Sequence, residues 1–153
     1  MSRIVTAAAM AVLAFSALPA SAVESTYKAD SSASVEASWK KVGDFCGIAS
    51  WHPAIEKCVL SEGGKMRTLS LKGGGTIVER LVSRDYNAHS YTYEIVSGPL
   101  PVADYVSTIK ITGNGSGSSI EWTGTYKAKG VSDPDAKKTI DGVYKGGVDA
   151  LVK

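Results

Sequence analysis

The chain has 153 residues, 44% hydrophobic and 21% charged, the balance of one soluble globular domain and not of a disordered chain. Lys and Arg number 17 against 15 Asp and Glu, and the resulting +2 is too balanced for a nucleic-acid-binding surface. Two cysteines cannot build a disulfide scaffold, the 16 glycines follow no collagen period, and no repeat of solenoid or propeller length occurs.

Arg3 is the only charged residue before Glu24. An apolar run from Ile4 to Leu18, interrupted by Thr6 and Ser16, leads into Pro19-Ala20-Ser21-Ala22. A basic start, an apolar run and an A-x-A site describe a secretory signal peptide cleaved after Ala22. The run is too short for a comfortable membrane span, and no cysteine at the cleavage site signals a lipid anchor. Removing 22 of the 153 residues leaves 131, enough for a single domain over 23–153 with one good core. No other stretch is apolar enough to span a bilayer, so the expected product is secreted, in a bacterial periplasm, with no stable membrane span after cleavage.

Residues 23–28 read as a strand. Ser31-Ser32 offers a helix N-cap ahead of Val35, Trp39, Val42 and Phe45, whose offsets of four, seven and ten share one helical face. A short helical turn is expected near Ile48, and Pro53 holds His52 out of helical geometry. From Ile55 onward the pattern is strands, at 56–61, 65–72, 76–83, 89–97, 102–112 and 119–129. The breaks between them are rich in glycine, proline and asparagine, the residues of tight turns. The chain closes with a helix opened by Asp133 as N-cap and Pro134 at its first position. Ile140, Val143, Tyr144, Gly147, Val148 and Leu151 form its apolar stripe. Gly142, Gly146 and Gly147 each cost that helix about 1 kcal/mol against alanine, so they serve either close packing on a sheet or a thin, mobile helix over a cavity. Strands joined by short turns with segregated helices make an α+β fold: a curved antiparallel sheet of about seven strands with the last helix across its concave face.

This order resembles the helix-grip fold of the START and birch-pollen-allergen (SRPBCC) superfamily. Trp51-His52-Pro53-Ala54-Ile55, Arg67-Thr68-Leu69 and Gly75-Thr76-Ile77-Val78-Glu79-Arg80-Leu81 look like segments of its polyketide cyclase/dehydrase-like family. So do Val42-Gly43-Asp44-Phe45, Ser97-Gly98-Pro99-Leu100-Pro101-Val102 and Ile120-Glu121-Trp122-Thr123-Gly124-Thr125-Tyr126. Together they cover nearly the whole of residues 23–153. The resemblance implies a hydrophobic ligand held between sheet and helix; members include cyclases, hydrolases, lipid transporters and lipid sensors, so the fold alone fixes no activity.

Strand alternation assigns faces. His89, Tyr91, Tyr93 and Ile95 share one; Ile77, Glu79 and Leu81 another; Ile120, Trp122, Gly124 and Tyr126 a third, with Tyr105, Ser107 and Ile109 in the strand before. Glu79 stands on an otherwise apolar face, where an unpaired carboxylate is costly. It either bridges to a cation on the rim, or faces the other way in a different register, or acts as a pocket acid. A more distant resemblance to the plant abscisic-acid receptors implies the last role, and implies for His52 the place of a basic ligand anchor. The alternative for His52 is a capped loop histidine. The same resemblance puts Tyr93 and Tyr105 in the pocket wall, where tyrosine provides apolar area with a polar tip; core packing is the other reading of each. Gly73-Gly74-Gly75 and Gly98-Pro99-Leu100-Pro101 occupy the places of those receptors' mouth loops but lack their sequences, so their signalling mechanism is not implied.

Ligand-binding candidates are therefore Trp51, His52, Ile77, Glu79, Leu81, Tyr91, Tyr93, Tyr105, Trp122 and Tyr144, with Glu79 and His52 as the candidate acid–base pair. Cys46 and Cys58 can form a disulfide in a secreted protein, or can remain unbridged. With His52 and His89 they match no zinc spacing, and no metal or cofactor is expected. No nucleophile elbow, phosphate loop or H-E-x-x-H motif occurs. The leading expectation is a binding protein for a small hydrophobic or amphipathic molecule, with no nucleic-acid partner and no protein partner named by the sequence. A cyclase, dehydratase or hydrolase using the same cavity stands second, and an accessory protein whose cavity is filled by its own aromatics third.

Overall fold

The computed structural model describes residues 22–153, so the expected signal peptide lies, but for Ala22, outside the described residues. Seven strands form one antiparallel sheet: β1 Val23–Ser31, β2 Ile55–Ser61, β3 Met66–Leu71, β4 Thr76–Asp85, β5 Ser90–Ser97, β6 Val102–Gly113 and β7 Ser118–Ala128. Their spatial order is β1-β7-β6-β5-β4-β3-β2, so the first strand closes against the last and β2 forms the far edge. Three α-helices accompany them, α1 Val35–Val42, α2 Ile48–Trp51 and α3 Asp133–Leu151, and a 3-10 turn at Glu62–Gly64 joins β2 to β3. α3 lies against β1 and β7, and α2 fills the space between α3 and β2. This is the helix-grip α+β architecture.

The element order agrees with expectation; several ends do not. β1 runs to Ser31 because it pairs with β7 along its whole length, from Val23↔Tyr126 to Ser31↔Ser118. Ser31 is therefore a strand residue, and Ser34 caps α1, its side chain accepting from the Ala37 N–H. α1 stops at Val42, so Phe45 is buried from a loop and not from the helix face. Ser132 rather than Asp133 caps α3, accepting from the Asp135 N–H, and Asp133 is the first helical residue. His89 lies outside β5 at φ 48, in the turn, and its ring packs against Trp39 as that of Tyr91 does.

The register decides which side chains meet over the concave face. Arg67 on β3 stands opposite Glu79 on β4, which stands opposite Ile95 on β5. Tyr93 on β5 faces Ser107 on β6, and Ser107 faces Gly124 on β7. Apolar alternation buries Leu69, Ile77, Ile109, Ile111, Ile120 and Trp122 in one core together with Ile140, Tyr144, Val148 and Leu151 of α3. Of the three glycines of α3, only Gly147 is required by close approach: a Cβ there would lie 2.7 Å from both His52 Cδ2 and Trp122 Cζ3. Gly142 faces open space, and a Cβ on Gly146 would meet only Pro53, at 3.8 Å.

Candidate functional site

Between sheet and α3 lies a cavity of about 130 Å³. Six of the sequence candidates line it: His52, Ile77, Glu79, Tyr93, Tyr105 and Trp122. Ile48, Ala54, Ile55, Leu69, Leu71, Ile95, Leu100 and Val143 complete the wall. The other four candidates are elsewhere. Trp51 packs its ring edge-on to Trp122 at 5.9 Å, and Tyr144 stacks on Trp122 at 4.7 Å. Tyr91 packs against Phe45 and Trp39. Leu81 is half-buried beside a register slip in β4.

Glu79 is neither isolated nor bridged to the rim. Its Oε2 accepts a hydrogen bond from Arg67 Nε at 2.5 Å, and Arg67 is 0% exposed. Nη1 of the same guanidinium donates to the Phe45 carbonyl, and its Cζ lies 4.0 Å from the Phe45 ring centroid and 5.0 Å from that of Tyr93. Arg67 Nη2 is buried with no partner among the described residues. Arg67 and Leu69, two residues apart, share one face of β3, so burying that face buries both. Burial pushes the Glu79 carboxyl above the usual carboxylate range, against the opposing pull of Arg67. Arg67 holds only one carboxylate oxygen; Oε1 has no hydrogen-bond partner among the described residues, and the side chain lines the cavity.

His52 is held on both sides. A carbonyl only accepts and an amide N–H only donates, so the 3.1 Å contact to Val143 O makes Nε2 the protonated nitrogen, and the 3.2 Å contact from Ala54 N uses the lone pair of Nδ1. Burial lowers the pKa of this histidine, and the charge of Arg67 adds to that. The ring is neutral, locked, and offers the cavity carbon atoms in place of a free nitrogen.

The opposite wall is a closed network. Tyr93 and Tyr105 share a hydroxyl–hydroxyl bond of 3.2 Å, Tyr105 and Tyr144 one of 2.8 Å, and Tyr144 meets Ser107 Oγ at 2.9 Å. Trp122 Nε1 donates to both Tyr93 Oη and Ser107 Oγ, and Ser107 donates to the Thr123 carbonyl. The Tyr144 hydroxyl sits over Gly124, where any Cβ would collide with it. Burial raises the pKa of Tyr93, Tyr105 and Tyr144, so all three phenols stay neutral and serve as paired wall atoms.

Cys46 and Cys58 are bridged, with Cα atoms 5.5 Å apart, tying the segment between α1 and α2 to β2. The bridge adjoins Phe45, whose carbonyl Arg67 holds. Among the described residues no group of His, Cys, Asp and Glu is arranged to hold a metal ion, and no helix is long and apolar enough to cross a membrane.

The fold has solved counterparts. The protein XoxI from Bacillus cereus is 36% identical, with a TM-score of 0.83 over 85% of this chain and 93% of that one. An uncharacterized protein from Bacillus thuringiensis is 35% identical, with a TM-score of 0.80 over 86% of this chain and 96% of its own. The Zhui aromatase/cyclase from Streptomyces sp. R1128, 16% identical with a TM-score of 0.67 over 86% and 91% of the two chains, shares the fold. No curated protein matches the chain. The family model described as polyketide cyclase / dehydrase and lipid transport matches residues 22–153, and the chain belongs to that family.

Proposed function

We propose that the protein is an exported binding protein for a small, mostly apolar molecule that carries one hydrogen-bond donor. The observation behind this reading is a cavity with apolar walls in which the polar groups are tied to one another, save one carboxylate oxygen of Glu79. Apolar burial supplies affinity at about 25 cal/mol per Å². Glu79 Oε1, the carboxylate oxygen that Arg67 does not hold, supplies orientation by accepting from a donor on the ligand. The volume of about 130 Å³ is close to that of an engineered apolar cavity of about 150 Å³ that takes benzene, so the buried part of the ligand is one ring in size. A fused polycyclic ligand does not fit without rearrangement of the wall.

Two measurements test this. Protein recovered from the periplasm of an expressing cell is expected to begin at Val23 and to carry a stoichiometric small molecule in native mass spectrometry. Phenol is expected to bind wild type about tenfold more tightly than it binds Glu79→Gln, with benzene indifferent to the change; equal phenol affinities sink the role of Oε1. One observation favours a second reading, catalysis: burial raises the Glu79 carboxyl toward the range of a general acid or base. In that case Glu79→Gln abolishes turnover of a cyclisable or dehydratable ketone while binding of it survives.

A further inference from the structure

The convex side of the sheet carries a second depression, a crevice of about 520 Å³, and it lies where the sheet divides. β5 and β6 pair from Ser90↔Lys110 to Glu94↔Val106. Beyond that point Ile95 and Ser97 stay with β4, while Val102 and Ala103 stay with β7. Gly98-Pro99-Leu100-Pro101 spans the gap, and its two prolines have no N–H with which to extend the ladder. On β6 the register slips between Ala103 and Val106, and Asp104 between them adopts φ 52, unusual for a residue with a side chain. A bulge of this kind bends the strand and re-aims its neighbours, and here Tyr105 turns inward to join Tyr93 and Tyr144.

Ile95, Leu100 and Tyr105 line both the crevice and the interior cavity. The partition between the two spaces is therefore made of side chains where the β5–β6 ladder is interrupted. The crevice combines exposed apolar Val96 and Val106 with Arg80, Glu94, Asp104 and Lys129, whose charges cancel. Arg80 and Glu94 are paired at 2.8 Å, and Asp104 is paired with Lys127 at 2.8 Å. Such a surface suits an uncharged, hydrogen-bonding group on a short alkyl linker better than an ion of either sign.

We propose that the crevice is the outer arm of the binding site. The ring-sized end of the ligand occupies the cavity, and a neutral polar tail, an alcohol or an amide on an alkyl linker, passes Leu100 through the split in the sheet. This rests on the cavity reading above and adds to it a second subsite and a ligand shape.

The test is calorimetric titration of phenols bearing a para alkyl chain that ends in a hydroxyl, with one, three or five methylenes between ring and hydroxyl. On wild type, affinity is expected to rise about tenfold from the shortest to the longest chain, short of full burial of each methylene. Val106→Trp fills the crevice from an exposed position and is expected to abolish that gain while leaving the shortest member unchanged. Ala54→Trp, on the exposed rim of the cavity itself, is expected to weaken all three members alike and to preserve the gain. A gain that survives Val106→Trp, or that is lost in Ala54→Trp, sends the tail out by the rim and overturns the outer arm. No gain on wild type overturns the outer arm and leaves the cavity standing. No binding of any member overturns the cavity reading and the arm with it.

Discussion

Two polar clusters share this core, and they are built on opposite principles. The phenol network of Tyr93, Tyr105, Tyr144, Ser107 and Trp122 is neutral and closes on itself. The Arg67–Glu79 pair is charged and open: one guanidinium nitrogen is buried with no partner among the described residues, and Arg67 holds only one of the two carboxylate oxygens. Neutral hydroxyls lose little on burial once paired, so the network makes a stiff wall. Buried ions lose much more solvation and recover it only in part from one another. The open cluster is where a ligand has something to gain.

The sharpest way to break the comparison is to strip the charged cluster of one partner. Arg67→Met leaves Glu79 buried without its cation and is expected to cost about 3–5 kcal/mol in urea unfolding, while Arg67→Met with Glu79→Leu recovers most of that. An additive double variant would mean the two residues do not act as a pair. The next effect lies where α3 leans on the aromatic wall. Gly147→Ala forces a Cβ into His52 and Trp122 and is expected to destabilise by about 1–3 kcal/mol. Gly142→Ala meets open space and is expected to stabilise by about 1 kcal/mol. Thermal melts of the pair decide whether close packing explains one glycine or both.

The closed network gives smaller effects. Tyr144→Phe removes a hydroxyl that meets both Tyr105 and Ser107, and is expected to cost about 1 kcal/mol without changing phenol affinity. A tenfold loss of phenol affinity would show that the wall is a ligand contact after all. The smallest effect is titration of His52. Its folded pKa lies below the ordinary 6.5, so the unfolded chain binds the extra proton first as pH falls. The stability that His52 contributes is present above that ordinary value and declines as pH drops through it toward the folded pKa. Unfolding curves at a series of pH values are expected to show this decline in wild type and to lose it in His52→Gln.

Much of the site was legible residue by residue. Period-two alternation identified the inward faces of β4, β5 and β7, and with them Ile77, Glu79, Tyr93 and Trp122. Alternation also put Tyr91 on the inward face, which is correct, yet Tyr91 packs on Phe45 and Trp39 away from the cavity. Facing inward is a property of one strand; lining a cavity depends on what lies opposite. Arg67 is not legible as a core residue, because a charged residue in a short strand reads as exposed until its partner across the ladder is known. His52 illustrates the same limit. The proline after it explains its extended backbone, but the carbonyl that locks its ring belongs to Val143, 91 positions along the chain.

By itself the sequence determined the order of strands and helices, the turns between them, and which face of each element is apolar. These follow from local rules: the two-residue period of a strand, the three-to-four spacing of a helix, and the dihedral freedom of glycine and proline. Only the tertiary structure decided that Arg67 meets Glu79, that Cys46 reaches Cys58, and that β5 and β6 part below Glu94. Each of these depends on register between segments distant in the chain. A shift of one residue in register leaves every local preference satisfied on its own strand while turning the side chains to the other face. The core as a whole, by filling its volume and pairing its charges, selects the register that the local rules leave open.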